Sequence, residues 1–208
     1  MRPSEVTALV CLASASPRRR ALLEQLGVAY LTQPADIDET LAPEEAARDY
    51  VVRMAQAKAL TVRARGVELP VLAADTAVVL DETIFGKPRD RAEGVAMLAR
   101  LAGRTHRVLT AVALAQAAGV AFRLSASEVR MRAISAAECA AYWDSGEPCD
   151  KAGGYAIQGR GAVFVEHLSG SYSGVVGLPL YESAQLLAAA GVPCTPGAAR
   201  AGVGARSA

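Results

Sequence analysis

The sequence predicts an α/β fold, on three observations. A short apolar run, Ala8 to Leu12, is followed by a turn and the helix-like run Ala21 to Leu26. A helical pattern from Pro43 to Arg65 leads into Pro70 to Leu80, whose apolar density is that of a buried strand. Thr105 to Gln116 and Val120 to Ile134 lie either side of Ala117-Ala118-Gly119, as the arms of an antiparallel hairpin would.

Each element has a local physical reason. Ser16 suits an N-cap and Pro17 the first helical position, where its missing N–H has no intrahelical partner anyway, and Gly27 stops that helix. Val28 to Pro34 reads as a short extended segment, followed by the acidic loop Asp36-Ile37-Asp38-Glu39. On the long helix, Ala47, Tyr50, Val51, Met54, Lys58 and Val62 share one stripe at 3.6-residue spacing. Asp81-Glu82-Thr83 turns the chain, Asp90 caps a helix from Arg91 to Leu101, and Gly103 ends it. Ser135 and Glu138 form a capping box for a helix through Trp143, a residue expected in the core or an interface. The glycine-rich segment Asp150 to Gly161 precedes a strand from Ala162 to Val165. A small-residue loop, Gly170 to Pro179, precedes the closing helix Leu180 to Ala190. From Pro193 onward Ala, Gly, Pro and Arg dominate without periodicity, so a disordered tail is expected over 193–208.

Composition excludes several classes of function. A hydrophobic fraction of 52% with 21% charge is that of a globular protein, and no stretch approaches the ~18 apolar residues of a membrane helix. Met1 to Thr7 lacks the features of a signal peptide, so the cytoplasm is the expected setting. A net charge of +1 leaves no electrostatic footprint for duplex nucleic acid. Four cysteines without Cys-x-x-Cys spacing and two isolated histidines do not make a zinc site. A metal here would be a hard, oxygen-bound ion such as Mg²⁺ or Mn²⁺. With no repeat and no long linker, the length suits one domain or two closely packed lobes.

Against that neutral background, a few charges stand out. Arg18, Arg19 and Arg20 crowd a helix start, where the dipole and free N–H groups favour an anion. Asp75 interrupts a buried strand, and a carboxylate there is costly unless paired or bound to a cation, which makes it the leading catalytic candidate. Two readings stand for Lys58 on its apolar stripe: a stem that packs while the ammonium reaches water, or a cation directed into a cleft. Gly86-Lys87-Pro88 is not a P-loop, since no glycine stands five residues earlier and Pro88 replaces the Ser or Thr that would bind magnesium, but Lys87 can bind phosphate alone. Gln158 can read a base edge or cap its own turn. A cationic set, an acidic set (Asp36, Asp38, Glu39, Asp75) and glycine-rich loops together suit metal-assisted phosphoryl or nucleotidyl chemistry.

The blocks Leu12-Ala-Ser-Ala-Ser-Pro-Arg-Arg19, Asp38-Glu39, Lys58, Ala74-Asp-Thr76, Gly86-Lys-Pro88, Asp150-Lys-Ala-Gly153, Ile157-Gln-Gly159, Ser171-Tyr172 and Gly177-Leu-Pro179 occur in one order over Leu9 to Gly191. In this they resemble the Maf family of nucleoside triphosphate pyrophosphatases. The resemblance implies an α/β fold with a mixed, elongated, curved sheet flanked by helices, similar to the inosine triphosphatase fold, with two lobes around a cleft and residues 1–192 as one catalytic domain. It implies hydrolysis of a nucleoside triphosphate between the α and β phosphates, with a divalent metal. Carried over by position, Asp75 corresponds to the proton acceptor, and Ser14, Arg19, Glu39, Lys58 and Lys87 to phosphate- and metal-site residues, with Glu39 and Asp75 as the metal set. Arg18, Thr76 and Gln158 match the positions that mark the dTTP/UTP-hydrolysing branch. A nucleoside triphosphate is the implied partner, with no nucleic-acid duplex and no membrane, and a homodimer is compatible. The alternative is a nucleotide-binding regulator of septum formation, which would need the cleft but not the base.

Overall fold

A computed structural model describes residues 7–194. Strand β1 (Val10–Leu12) leads into helix α1 (Pro17–Gln25), then β2 (Tyr30–Thr32), helix α2 (Ala47–Ala64), the long strand β3 (Val71–Leu80) and β4 (Thr83–Phe85). Helix α3 (Arg91–Leu101), the strands β5 (Thr105–Gln116) and β6 (Gly119–Met131), and helix α4 (Ala136–Asp144) follow. Three 3₁₀ turns over residues 147–164 precede β7 (Val165–Ser169), helix α5 (Tyr172–Val176) and helix α6 (Leu180–Ala189). One mixed sheet runs β2-β1-β3-β5-β6-β7, with β4 added on β3. β1 is parallel to β2 and β3; the remaining pairings are antiparallel.

The period of two along β3 sorts its side chains onto two faces. Val71, Ala73, Ala77 and Val79 join a core beneath α2 with Val51, Ala55, Ala59 and Val62. Leu72 and Ala74 face the opposite way, under α1 and α6, with Leu22, Leu23, Leu186 and Leu187. On that same face, at the other end, Val78 and Leu80 pack with Leu98, Met131 and Phe164 beneath α3 and α4. Asp75 therefore points toward α2 and Thr76 toward α1 and α5.

What positions the site is a gap along one edge of β3. β1 pairs with β3 only at Val71 and Leu72, and β4 only at Val78 to Leu80. Between them, from Ala73 to Ala77, no strand among the described residues covers that edge, whereas β5 pairs along the whole other edge from Val71 to Val79. Loops from both flanks converge on the gap: Ser14 to Arg19 after β1, and Gly86-Lys87 after β4. A ligand cleft where neighbouring strands part company is a general property of open α/β sheets.

Several boundaries differ from the sequence-based expectation. α2 begins at Ala47 rather than Pro43, because Glu44 has φ +58° and Arg53 grips both oxygens of Glu45 at 2.6 Å, holding that segment in a turn. β4 was not expected; Asp81 and Glu82, both at positive φ, close a two-residue hairpin onto β3. β6 ends at Met131 because the Arg132 N–H turns to the Phe164 carbonyl. Ala162 to Phe164 form a 3₁₀ turn, so β7 starts at Val165. The loop after Gly170 holds α5, capped by Ser171. The capping box of α4 is present as expected, and Trp143 packs against Gly94 of α3. Cys194 packs on the α1–α6 core. The tail expectation beyond it lies outside the described residues.

Candidate active site

A cleft of about 720 Å³ opens over the uncovered edge of β3. Ser14, Arg18, Arg19, Glu39, Lys58, Asp75, Thr76, Lys87 and Gln158, the nine residues that the family resemblance carries over, line it. Of the acidic loop, Asp36 and Glu39 reach the cleft, while Asp38 turns away to accept from the N–H and hydroxyl of Thr40 at 2.9 and 2.6 Å.

At its centre, Lys58 joins two carboxylates. Its Nζ donates to Asp75 Oδ1 at 2.6 Å and lies 2.7 Å from Glu39 Oε1. Lys58 is 8% exposed and Asp75 5%, so the ammonium is directed into the cleft rather than out to bulk water. α2 supplies Lys58 from its apolar stripe, β3 supplies Asp75, and Tyr50 steadies the Glu39 backbone by donating to its carbonyl at 3.0 Å. The two carboxylates titrate in opposite directions. Burial pushes Asp75 above the ordinary carboxylate range, against the pull of Lys58 and Arg19. Burial pushes Glu39 the same way, but the Lys58 hydrogen bond and charge, with Lys87 and Arg19, bring it below that range.

The helix start opposite is organised by serines. Ser14 Oγ accepts from the Ser16 N–H at 3.1 Å, and Ser16 Oγ accepts from the Arg19 N–H at 3.4 Å. Those two N–H groups are thereby used, which shifts the attraction for an anion onto the side chains and the dipole. Arg19 spends two of its five N–H donors, on the Gly177 carbonyl at 2.8 Å and Thr76 Oγ1 at 3.4 Å. Thr110 Oγ1 backs this arrangement, 3.0 Å from Thr76 Oγ1 and 2.8 Å from the Gly174 carbonyl oxygen. Across the cleft mouth, Arg18 donates to Asp150 Oδ2 at 2.9 Å, and Lys151 takes the other oxygen. The Gly153 N–H donates to the Gly86 carbonyl at 3.0 Å, tying the glycine-rich segment to the loop that carries Lys87.

Two participants were missed. Thr110 is a polar residue within a buried run, the same signal that singled out Asp75. Asp150 lay in a recognised block, but its ion pair with Arg18 spans 132 positions and leaves no local trace.

The family model for Maf-like protein matches residues 9–190. The chain belongs to the Maf family. Among curated relatives, the dTTP/UTP pyrophosphatase of Alkalilimnicola ehrlichii is 54% identical over 184 residues, covering 86% of this chain and 91% of its own. That of Methylobacillus flagellatus is 51% identical over 185 residues, covering 88% and 93%. A solved HAM1 protein from Coxiella burnetii overlays on 60% of this chain and 73% of its own, with a TM-score of 0.42 and 17% identity. No helix among the described residues of this Maf protein is long and apolar enough to cross a membrane.

Proposed function

We propose that this protein hydrolyses dTTP and UTP to the monophosphate and pyrophosphate, in the cytoplasm and without a duplex nucleic-acid partner, with residues 1–192 as one two-lobed catalytic domain. The observation that carries this reading is the Asp75–Lys58–Glu39 cluster on the open edge of β3, in a chain half identical to proteins named for that reaction.

Two carboxylates displaced in opposite directions divide the labour. Asp75, held to a higher pKa, takes the proton of a water as its oxygen bonds to the α-phosphorus and the bond from that phosphorus to the bridging oxygen breaks. Arg19, Lys58, Lys87 and the Ser14 hydroxyl offset charge on the phosphates and on departing pyrophosphate. Gln158, whose amide has no other hydrogen-bond partner among the described residues, reads the O–N–O edge of uracil or thymine. Arg18 and Thr76 complete the selectivity set.

A divalent cation, Mg²⁺ or Mn²⁺, would bind beside this cluster. No group of three or more His, Cys, Asp or Glu ligands occurs among the described residues. Lys58 engages one oxygen of each of Glu39 and Asp75, while Asp75 Oδ2 and Glu39 Oε2 have no hydrogen-bond partner among the described residues; two carboxylates completed by substrate phosphates and water are how magnesium is held in nucleotide-handling sites. Glu39 and Asp75 would hold the ion, which supplies charge neutralisation along the triphosphate.

The test is a panel of nucleoside triphosphates with Mg²⁺ or Mn²⁺, measuring monophosphate and pyrophosphate. Equimolar products with dTTP and UTP turned over fastest are expected. A strong purine preference would refute the role of Gln158, and absence of pyrophosphate release would favour a nucleotide-binding regulator.

A further inference from the structure

Gln158 stands at the apex of a tight turn, and a carboxylate that the catalytic cluster does not use holds that turn shut. Glu147 Oε1 accepts from the Arg160 N–H at 2.9 Å, and Oε2 accepts from the Gly161 N–H at 3.0 Å and from the Tyr142 hydroxyl at 2.7 Å. The same Tyr142 oxygen accepts from the Ala156 N–H at 3.0 Å. The pair therefore grips the backbone on both sides of Gln158, at Ala156 before it and at Arg160 and Gly161 after it. Within the turn, the Gly159 N–H returns to the Ala156 carbonyl at 3.2 Å.

The glycines here are required by this clamp rather than by backbone freedom. A Cβ on Gly159 would sit 2.1 Å from Glu147 Oε1, and one on Gly161 would sit 2.7 Å from the Tyr142 oxygen. Tyr142 is anchored in turn, 6% exposed and edge-on to the Phe164 ring at 5.2 Å. Charge-assisted hydrogen bonds to two backbone N–H groups are among the stronger polar contacts available to a loop.

We infer that Glu147, with Tyr142, is a positioning residue for base selectivity: it fixes the turn that presents the Gln158 amide to the nucleobase. This rests on the proposed function for the identity of the ligand, though not for the clamp. Freed of the clamp, the turn still carries Gln158 but no longer aims it, so pyrimidine recognition is lost while the phosphate and Asp75 contacts stay. A merely structural Glu147 would weaken every nucleotide alike.

The test measures Kd for the α,β-methylene analogues of dTTP and GTP, and pyrophosphate release from dTTP and GTP, in wild type, Glu147→Ala and Tyr142→Phe. The expected result is a loss of about tenfold or more in preference for the pyrimidine, seen in Kd and KM, with kcat and the GTP values changed less than about threefold. Tyr142→Phe keeps the ring and loses only the hydroxyl, so it carries the test if Glu147→Ala does not fold. Folded variants with the wild-type preference would overturn the inference. Selective binding of the dTTP analogue without pyrophosphate release would instead overturn the proposed reaction and leave the clamp to be judged on Kd alone.

Discussion

Asp75 is ionisable, 5% exposed and one of the two carboxylate partners of the Lys58 ammonium, Glu39 being the other. Asp75→Asn keeps the side-chain volume and leaves Lys58 paired with Glu39, so the fold is expected to persist while turnover falls by about 10³-fold or more. Near-normal turnover in a folded Asp75→Asn protein would remove it from the mechanism. Because burial raises the Asp75 pKa and the base must be ionised to work, kcat/KM is expected to rise with pH along an acid limb that lies above the ordinary carboxylate range near ~4. An acid limb at or below that value, read from a pH–rate profile at constant ionic strength, would contradict the assignment. Asp75 was legible because a charge in a run of Val, Leu and Ala is a local anomaly. The Arg18–Asp150 pair and the Glu147 clamp were not, since each depends on residues brought together by the chain's path.

Helices and strands followed their local signals wherever those signals were complete. Asp90 accepts from the Glu93 N–H at 2.9 Å at the start of α3, and Ser135 and Glu138 cap α4 reciprocally, as their spacing indicates. The start of α2 was misjudged because helical propensity in Glu44-Glu45 yields to the Arg53 fork, a contact eight residues away. β4 is three residues long and has only its pairing with β3 to define it. Packing between elements sets finer demands. A Cβ on Gly94 would come within 2.0 Å of the Trp143 ring. Gly94→Ala gains about 1 kcal/mol of helix propensity but forces that ring aside, at about 1–3 kcal/mol. Net destabilisation is expected, read as a lower urea midpoint with an unchanged m-value; a raised midpoint would show that α3 and α4 are less tightly opposed than the structure has them.

At the scale of the molecule, the fold was legible as a class from alternating periodicities, and the order β2-β1-β3-β5-β6-β7 was not, because strand order depends on contacts between distant segments. That order leaves one edge of β3 uncovered between Ala73 and Ala77, and the cleft follows from it. Global stability carries its own titration. His106 is 2% exposed, bonded through Nε2 to the Tyr155 hydroxyl at 2.8 Å, and burial brings its pKa from 6.5 down to about 4. The unfolded chain takes up that proton first, so stability is fully present above pH ~6.5 and falls by about 3 kcal/mol as pH drops toward 4. Glu138, lowered to about 2 by the Arg132 hydrogen bond, loses its contribution in a separate window below 4.5. Asp75 acts in the opposite sense, since its raised pKa makes stability fall as pH rises through its window. Urea midpoints at pH 7 and pH 5 are expected to differ for wild type and to converge for His106→Gln; an equal drop in both proteins would place the titration elsewhere.

In the proposed reaction, water activated at Asp75 attacks the α-phosphorus of a pyrimidine nucleoside triphosphate. Turnover of dTTP in ¹⁸O-labelled water, with both products weighed by mass spectrometry, tests it most directly. One ¹⁸O in the monophosphate and none in the pyrophosphate is the result this mechanism requires, with both products forming about 10³-fold or more slowly in Asp75→Asn. Label in the pyrophosphate, or release of orthophosphate in place of pyrophosphate, would contradict it.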